Sequence, residues 1–186
     1  MLKKTYKVTK EERKQAEKFA DERSATDTSL YKRRGAFKRD DILIGALGEI
    51  AAYNLLKEKG YRVDKPDFSI HDHIKKSYNA DLKDDKRFFH VKAQSTVSAK
   101  RYGNSWLFQK SDHLTQKGIN NHYLVPCEVD LNTGEVTIFG VISFRTIHNK
   151  GCWGECAVPS FRHSKLAIYL DSLLELGYNS RWRMLK

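Results

Sequence analysis

The stretch ADLKDDKRFFHVKAQ, residues 80–94, is where the reading of this chain begins. Asp84 and Asp85 are turn formers, so ADLK and RFFHVKAQ are expected to fold back on each other as a hairpin. Side chains alternate along a strand, which sets His90, Lys92 and Gln94 on one face and Phe89 and Val91 on the other. Three polar groups on one face of an apolar strand cost free energy unless they are put to use. The same hairpin carries Asp81 towards that polar face.

Upstream, ILIGALGEIAAYNLLKEKG (42–60) is the strongest helical pattern in the chain. Asp40 and Asp41 are suited to cap its start, and Gly60 suits the left-handed position after its end. Gly45, Gly48 and Ala52 give it a flat side that a sheet or another helix can approach closely. Glu49 lies among these small and apolar residues, where a carboxylate is costly unless it is paired, hydrogen-bonded or bound to a metal. TKEERKQAEKFADER (9–23) reads as a surface helix opened by a Thr9/Glu12 capping box.

The segments YRVD (61–64), DFSI (67–70), SWLFQ (105–109), HYLVPCEVD (122–130) and EVTIFGVIS (135–143) read as strands, the last two forming a hairpin around Asn132-Thr133-Gly134. SKLAIYLDSLLELG (164–177) reads as a closing helix. This order predicts an α/β protein with a central mixed β-sheet flanked by helices. Residues 1–40 are expected to form a basic N-terminal helical arm, and 41–186 a single globular α/β unit.

A chain of 186 residues with 40% hydrophobic content suits one folded domain. Its 34 Lys and Arg against 23 Asp and Glu leave a net charge of +11, a field that attracts polyanions. Nucleic acid is the leading partner, and an acidic protein surface or a membrane surface would satisfy the same charge. No apolar run approaches the roughly 18 residues of a membrane helix, and MLKKTYKVTKEERK lacks an apolar signal core. The expectation is a cytoplasmic protein with no membrane partner and with reduced Cys127, Cys152 and Cys156. Lys32, Arg33, Arg34, Lys38 and Arg39, interleaved with Tyr31 and Phe37, form a candidate nucleic-acid contact. A solvated basic loop reads equally well from the same residues.

Glu49 on a helix, then Asp81, then a strand ending in His90-Val91-Lys92 resembles the core of the PD-(D/E)XK nuclease superfamily. That superfamily includes many restriction endonucleases, archaeal Holliday junction resolvases and repair nucleases. The resemblance covers roughly residues 42–142 and implies a restriction-endonuclease-like fold and a metal-dependent DNA endonuclease. It implies that Asp81 ligates a divalent metal, usually Mg²⁺ with Mn²⁺ possible, and that Glu49 helps from the helix. Lys92 would orient or activate the attacking water and stabilise charge on the phosphate. Double-stranded or branched DNA is the implied partner, and homodimerisation accompanies many such enzymes.

His90 departs from the pattern, standing where the superfamily has an acid. It is a candidate ligand for a softer metal, or a proton carrier. A second possibility is a metal held by Glu49, Asp81 and the Val91 backbone carbonyl, with His90 beside it. A third is an inactive site, leaving a non-catalytic DNA-binding protein. A metal-independent nuclease using His90 and Lys92 is a further alternative. Pro66-Asp67 competes with Asp81 for the aspartate position, but Asp81 enters the hairpin that leads straight into the HVK strand. Elsewhere, His148, Cys152, Cys156 and His163 carry a Cys-x3-Cys spacing found in zinc sites. The surrounding NKGCWGECAVPSFRH reads more as a loop with buried thiols than as structural zinc.

Overall fold

A parallel pairing organises the molecule: β3 (Phe88–Ser95) runs beside β5 (His122–Asp130), from Phe88 opposite His122 to Ser95 opposite Val129. The structure is a computed structural model that describes residues 3–26, 35–70 and 80–175. Parallel strands need a long crossover, and here the chain leaves β3 through α3 (Thr96–Tyr102) and β4 (Ser105–Gln109) before returning in β5. The predicted hairpin follows β5: β6 (Glu135–Ile138) pairs with it antiparallel around Gly134, whose φ of 72° favours glycine.

The single strand expected over 135–143 is divided. Gly140 adopts a φ of 139°, and the chain re-enters the sheet as β7 (Ile142–Ser143), which pairs with Tyr123 and Leu124 of β5. On the outer side of β6 lies β1 (Lys4–Lys7), and on the outer side of β3 lies β2 (Leu82–Lys83), giving the order β1-β6-β5-β3-β2. The β2–β3 pairing is the hairpin read from residues 80–94. It spans only Leu82 opposite Phe89 and Lys83 opposite Phe88, so no described strand covers that edge of β3 beyond Phe89.

Two helices pack on this sheet, α1 (Lys10–Thr26) and α2 (Gly35–Glu58). The apolar side of α2 buries Leu43, Ala46, Leu47, Ile50, Ala51 and Leu55 in a core shared with Ala16 and Ala20 of α1 and with Phe89, Val91 and Val125 of the sheet. The capping box is formed: the Thr9 N–H donates to Glu12 Oε2 at 2.8 Å, and the Glu12 N–H to Thr9 Oγ1 at 3.1 Å. The expected start of α2 at Asp40 and Asp41 is overturned, because the helix begins at Gly35 and both aspartates lie within it. After Gly35 at its first position, AFKR contains no glycine or proline, and its basic side chains tie α2 to α1, Lys38 Nζ to the Ser24 carbonyl at 3.2 Å and Arg39 to Asp21. Gly60 takes its expected place after the helix, at φ 83°.

A second, antiparallel sheet has the order β4-β9-β8, with β9 (Lys165–Tyr169) between β4 and β8 (Trp153–Glu155). KLAIY was expected to be helical. It is a strand because neighbours on both sides take up its backbone groups, and the helix α5 (Leu170–Glu175) starts only afterwards. Trp106, Phe108, Leu124, Phe144, Ile147 and Ile168 fill the core here, with α4 (Phe144–Asn149) closing it. The Trp106 indole N–H donates to the Cys127 carbonyl at 3.0 Å and so fastens this layer to β5. YRVD and DFSI, expected as strands, are irregular; Asp64 reaches the Lys83 carbonyl through its N–H at 3.2 Å. The result is a mixed α/β protein, and no helix among the described residues is long and apolar enough to cross a membrane.

Candidate active site

The site is built where β2 stops and β3 continues. Asp81 immediately precedes β2, and its Oδ2 accepts the Val91 N–H at 2.7 Å, replacing the carbonyl that a longer neighbouring strand would offer. From the other side α2 presses on the same stretch. A Cβ added to Gly48 would stand 2.9 Å from Ala93 Cβ and 3.5 Å from Val91 Cγ1, so glycine sets how closely the helix sits. The next residue, Glu49, is thereby held at the level of Val91 and Lys92. The small-residue side read in the sequence is therefore used at Gly48, whereas Gly45 meets nothing within 4 Å.

Burial pushes the Glu49 carboxyl up to about 8, with the neighbouring charges of Asp81 and then Asp67 adding to the rise and Lys92 opposing it. Asp81 as a residue retains solvent access, but its carboxyl group turns inward against β3. Desolvation raises its pKa, against the pull of Lys92 and of the Val91 N–H. The Glu49 carboxyl thus lies in the field of two further carboxyl groups, Asp81 and Asp67, and of the Lys92 ammonium group, and at neutral pH its raised pKa favours a bound proton. Asp67, the competing aspartate of the sequence reading, contributes to this field; its Oδ1 accepts the Ser69 N–H at 2.9 Å.

Lys92 is half-buried, with Nζ 5.0 Å from the ring centroid of Phe108, which is 1% exposed. The ammonium group is thus drawn down onto a buried aromatic face. Beside it opens a cleft of about 330 Å³ between β3, the start of α2, β4 and the segment Cys156–Phe161. Gln94 secures the cleft's inner end: its Oε1 accepts the Ser105 N–H at 2.9 Å, and its Nε2 donates to the Gly103 carbonyl at 3.1 Å.

His90 belongs to a different neighbourhood. Only 4% exposed, it shares a 2.9 Å hydrogen bond between its Nε2 and His122 Nδ1, and the two rings stack at 5.2 Å. His113 lies edge-on to both, at 6.4 and 5.6 Å between centroids. Burial above all, then the charges His122, Lys92 and His113 would carry, lowers its pKa to about 3, so the imidazole is neutral. The fold therefore gathers Glu49, Asp81, Val91 and Lys92 and places His90 in a histidine group. That group was not foreseen, because His113 and His122 enter from a turn and a strand that only the fold brings near.

Of the basic residues singled out in the sequence, Lys38 and Arg39 make the α1 contacts given above, and Lys32, Arg33 and Arg34 lie outside the described residues. At the second cluster, both nitrogens of His148 are engaged: Nε2 with the Leu114 carbonyl at 3.0 Å, Nδ1 accepting the Trp153 indole N–H at 3.1 Å. Cys152 and Cys156 are buried free thiols and His163 is exposed. Among the described residues, no group of three or more His, Cys, Asp or Glu is arranged to hold a metal ion. The donors at β3 are instead the Glu49 and Asp81 carboxyl groups, the charge of the second acting on the first. Oxygen donors of this kind, crowded enough to hold a proton near neutrality, fit a hard cation such as Mg²⁺. Compared with known proteins, the chain matches no family model, no curated protein and no solved structure.

Proposed function

We propose that this protein is a metal-dependent DNA endonuclease with a restriction-endonuclease-like core, a PD-(D/E)XK enzyme in which the acid before the lysine is replaced. The observation that supports the reading is the crowding of the Glu49 and Asp81 carboxyl groups beside Lys92 at the open edge of a central parallel strand. Their chain order, helix, aspartate, strand lysine, agrees with it. Glu49, Asp81 and the Val91 carbonyl are the residues that would hold Mg²⁺ or Mn²⁺. When bound, the cation supplies a polarised water and neutralises charge that builds on the phosphate.

The chain's own groups do the rest. To hold a cation, Glu49 and Asp81 would have to release the proton that the raised pKa of Glu49 retains, so binding would be favoured as pH rises. Lys92 offers the phosphate a fixed positive charge, aimed by the Phe108 ring. The basic surface, with Lys38 and Arg39 beside α1, draws double-stranded or branched DNA to the site, and two copies acting together would cut both strands.

Cleavage of a plasmid in EDTA, Mg²⁺ or Mn²⁺ tests the reading. Cutting that requires the metal supports it, and cutting that survives EDTA supports a metal-independent nuclease built on His90 and Lys92. DNA binding with no cutting under any condition supports a non-catalytic DNA-binding protein of the same architecture. The placement of His90 in a histidine group, where it adds no carboxylate, is the observation that favours this last reading.

A further inference from the structure

We infer that Arg101 and Lys165 hold backbone phosphates of double-stranded DNA and so bring the duplex to Lys92. The inference rests on the nuclease reading for the identity of the polyanion. Lys92 belongs to two surroundings at once: its charge acts on Glu49 and Asp81, and it lines the neighbouring cleft. The basic residues lining that cleft are Lys92 and Lys165, and the acidic one is Asp41. A third cation stands at its edge. Ser98 and Tyr102, one turn apart on α3, line the cleft, and the Arg101 guanidinium lies 5.1 Å from the Tyr102 ring centroid. Arg101 itself and its neighbour Lys100 are exposed.

The three cations share one kind of support. Lys92 rests against Phe108 at 5.0 Å, Arg101 against Tyr102, and Lys165 against Phe161 at 4.4 Å. A ring steadies a cation and carries no net charge to cancel it, so the field stays available to a phosphate. Elsewhere Lys4, Arg13 and Arg39 lie against Glu58, Glu17 and Asp21, which cancel theirs. The elements that carry the cleft's cations are held in place. Ser95 at the end of β3 caps α3 by accepting the Ser98 N–H at 3.1 Å, and Gln94 ties the far end of that helix to β3 through the Gly103 carbonyl. Lys165 opens β9 opposite Gln109 of β4. Phosphate contacts of this kind fix where a duplex lies without reading its sequence.

Fluorescence anisotropy with a labelled duplex oligonucleotide, in EDTA and over a series of salt concentrations, reads how many phosphates the protein neutralises. Each such contact adds about 0.9 to the slope of log affinity against log salt concentration. Arg101→Ala and Lys165→Ala are each expected to weaken duplex binding about threefold or more at ~0.1 M salt and to lower the slope by about 0.9. Arg101→Lys and Lys165→Arg keep the charge and should restore both affinity and slope, which a purely structural role would not do. Lys14→Ala, at an exposed position of α1 outside the cleft, should change the slope by less than about 0.3. In Mg²⁺-dependent cleavage the two alanine variants are expected to raise KM about threefold or more and to keep kcat within about twofold. Thermal melts establish that each variant is folded. Unchanged slopes in both alanine variants overturn the inference, as does an equal fall in Lys14→Ala or a wild-type protein that binds no duplex. Slopes that fall as expected in a protein that never cuts DNA would sink the nuclease reading and leave the phosphate contacts assigned. Cutting with unchanged slopes does the reverse.

Discussion

The Val91 N–H donates to the Asp81 carboxylate across 2.7 Å, so a side chain completes the hydrogen bonding of β3 where β2 has already ended. That bond gives Asp81 two separable properties, an acceptor for the strand and a negative charge for the site. Asp81→Asn keeps an acceptor and removes the charge. It is expected to leave stability within about 1 kcal/mol and DNA affinity within a few-fold, while cleavage falls about 100-fold or more. Asp81→Ala should lose the same activity and about 1 kcal/mol more stability, since the Val91 N–H loses its partner. Thermal melts beside single-turnover cleavage check both. Wild-type cleavage by Asp81→Asn would remove this carboxylate from the chemistry.

The pH dependence of stability follows from Glu49. Its carboxyl is pushed up to about 8 in the folded protein from an ordinary value of 4.5. Between those values the native state holds a proton that the unfolded chain has released, so stability falls as pH rises. The contribution is complete below the ordinary value and is lost through about 8; the raised pKa of Asp81 acts in the same direction. Glu49→Gln should therefore flatten the fall of melting temperature between pH 5 and 8.5, measured in EDTA, by a few degrees. Mg²⁺ added at pH 8 should raise the wild-type melting temperature and leave Glu49→Gln less affected. An unchanged pH slope in Glu49→Gln would show that another group carries the proton.

These relationships were unequally legible in the sequence. The helix around Glu49, the hairpin at Asp84-Asp85 and the β5–β6 turn announce themselves locally, through periodicity and turn chemistry. KLAIYLDSLLEL does not: its apolar run suits a strand or a helix, and pairing with β4 and β8 decides. β1 escaped notice because KTYK is short and charged and becomes a strand only beside β6. At the site, Asp81 and Asp67 were set against each other as alternatives, yet both charges reach Glu49. His90 fills the acid's place in the linear pattern while its ring goes to His122, a pairing across 32 residues that no local signal predicts.

Gly48 tests whether the spacing between helix and sheet matters. In Gly48→Ala the new methyl group would lie 2.9 Å from Ala93 Cβ, closer than such atoms approach, so helix or strand has to move. The overpacking cost of ~1–3 kcal/mol is set against a helix-propensity gain of roughly 1 kcal/mol. The expected net loss is about 1 kcal/mol, with cleavage reduced further because Glu49 is carried on the displaced turn. Ala93→Gly removes the opposing methyl group, and in a double-mutant cycle it should recover part of both losses. Additive effects would show that the two positions do not meet as described.

His90 and Lys92, two residues apart on one strand, should separate cleanly. His90 is buried, bonded to His122 and held near 3, below its ordinary 6.5. It is therefore neutral near pH 7 and lends no charge to a phosphate there. Its folded pKa lies below the unfolded one, so its effect on stability grows as pH falls through 6.5 and the unfolded chain takes up the proton. His90→Gln is therefore expected to cost stability and to lower cleavage less than about tenfold, with a shallower loss of stability below pH 6. Lys92→Ala removes the ammonium group beside the cleft and should lower cleavage about 100-fold or more, with a loss of stability that grows as pH rises and the carboxyl pair is left without its counter-charge. In NMR titrations the His90 ring should show no midpoint between pH 5 and 8. A variant at His90 that abolishes cleavage, beside a Lys92→Ala that still cuts, would move the chemistry to the histidine group and away from the carboxyl pair.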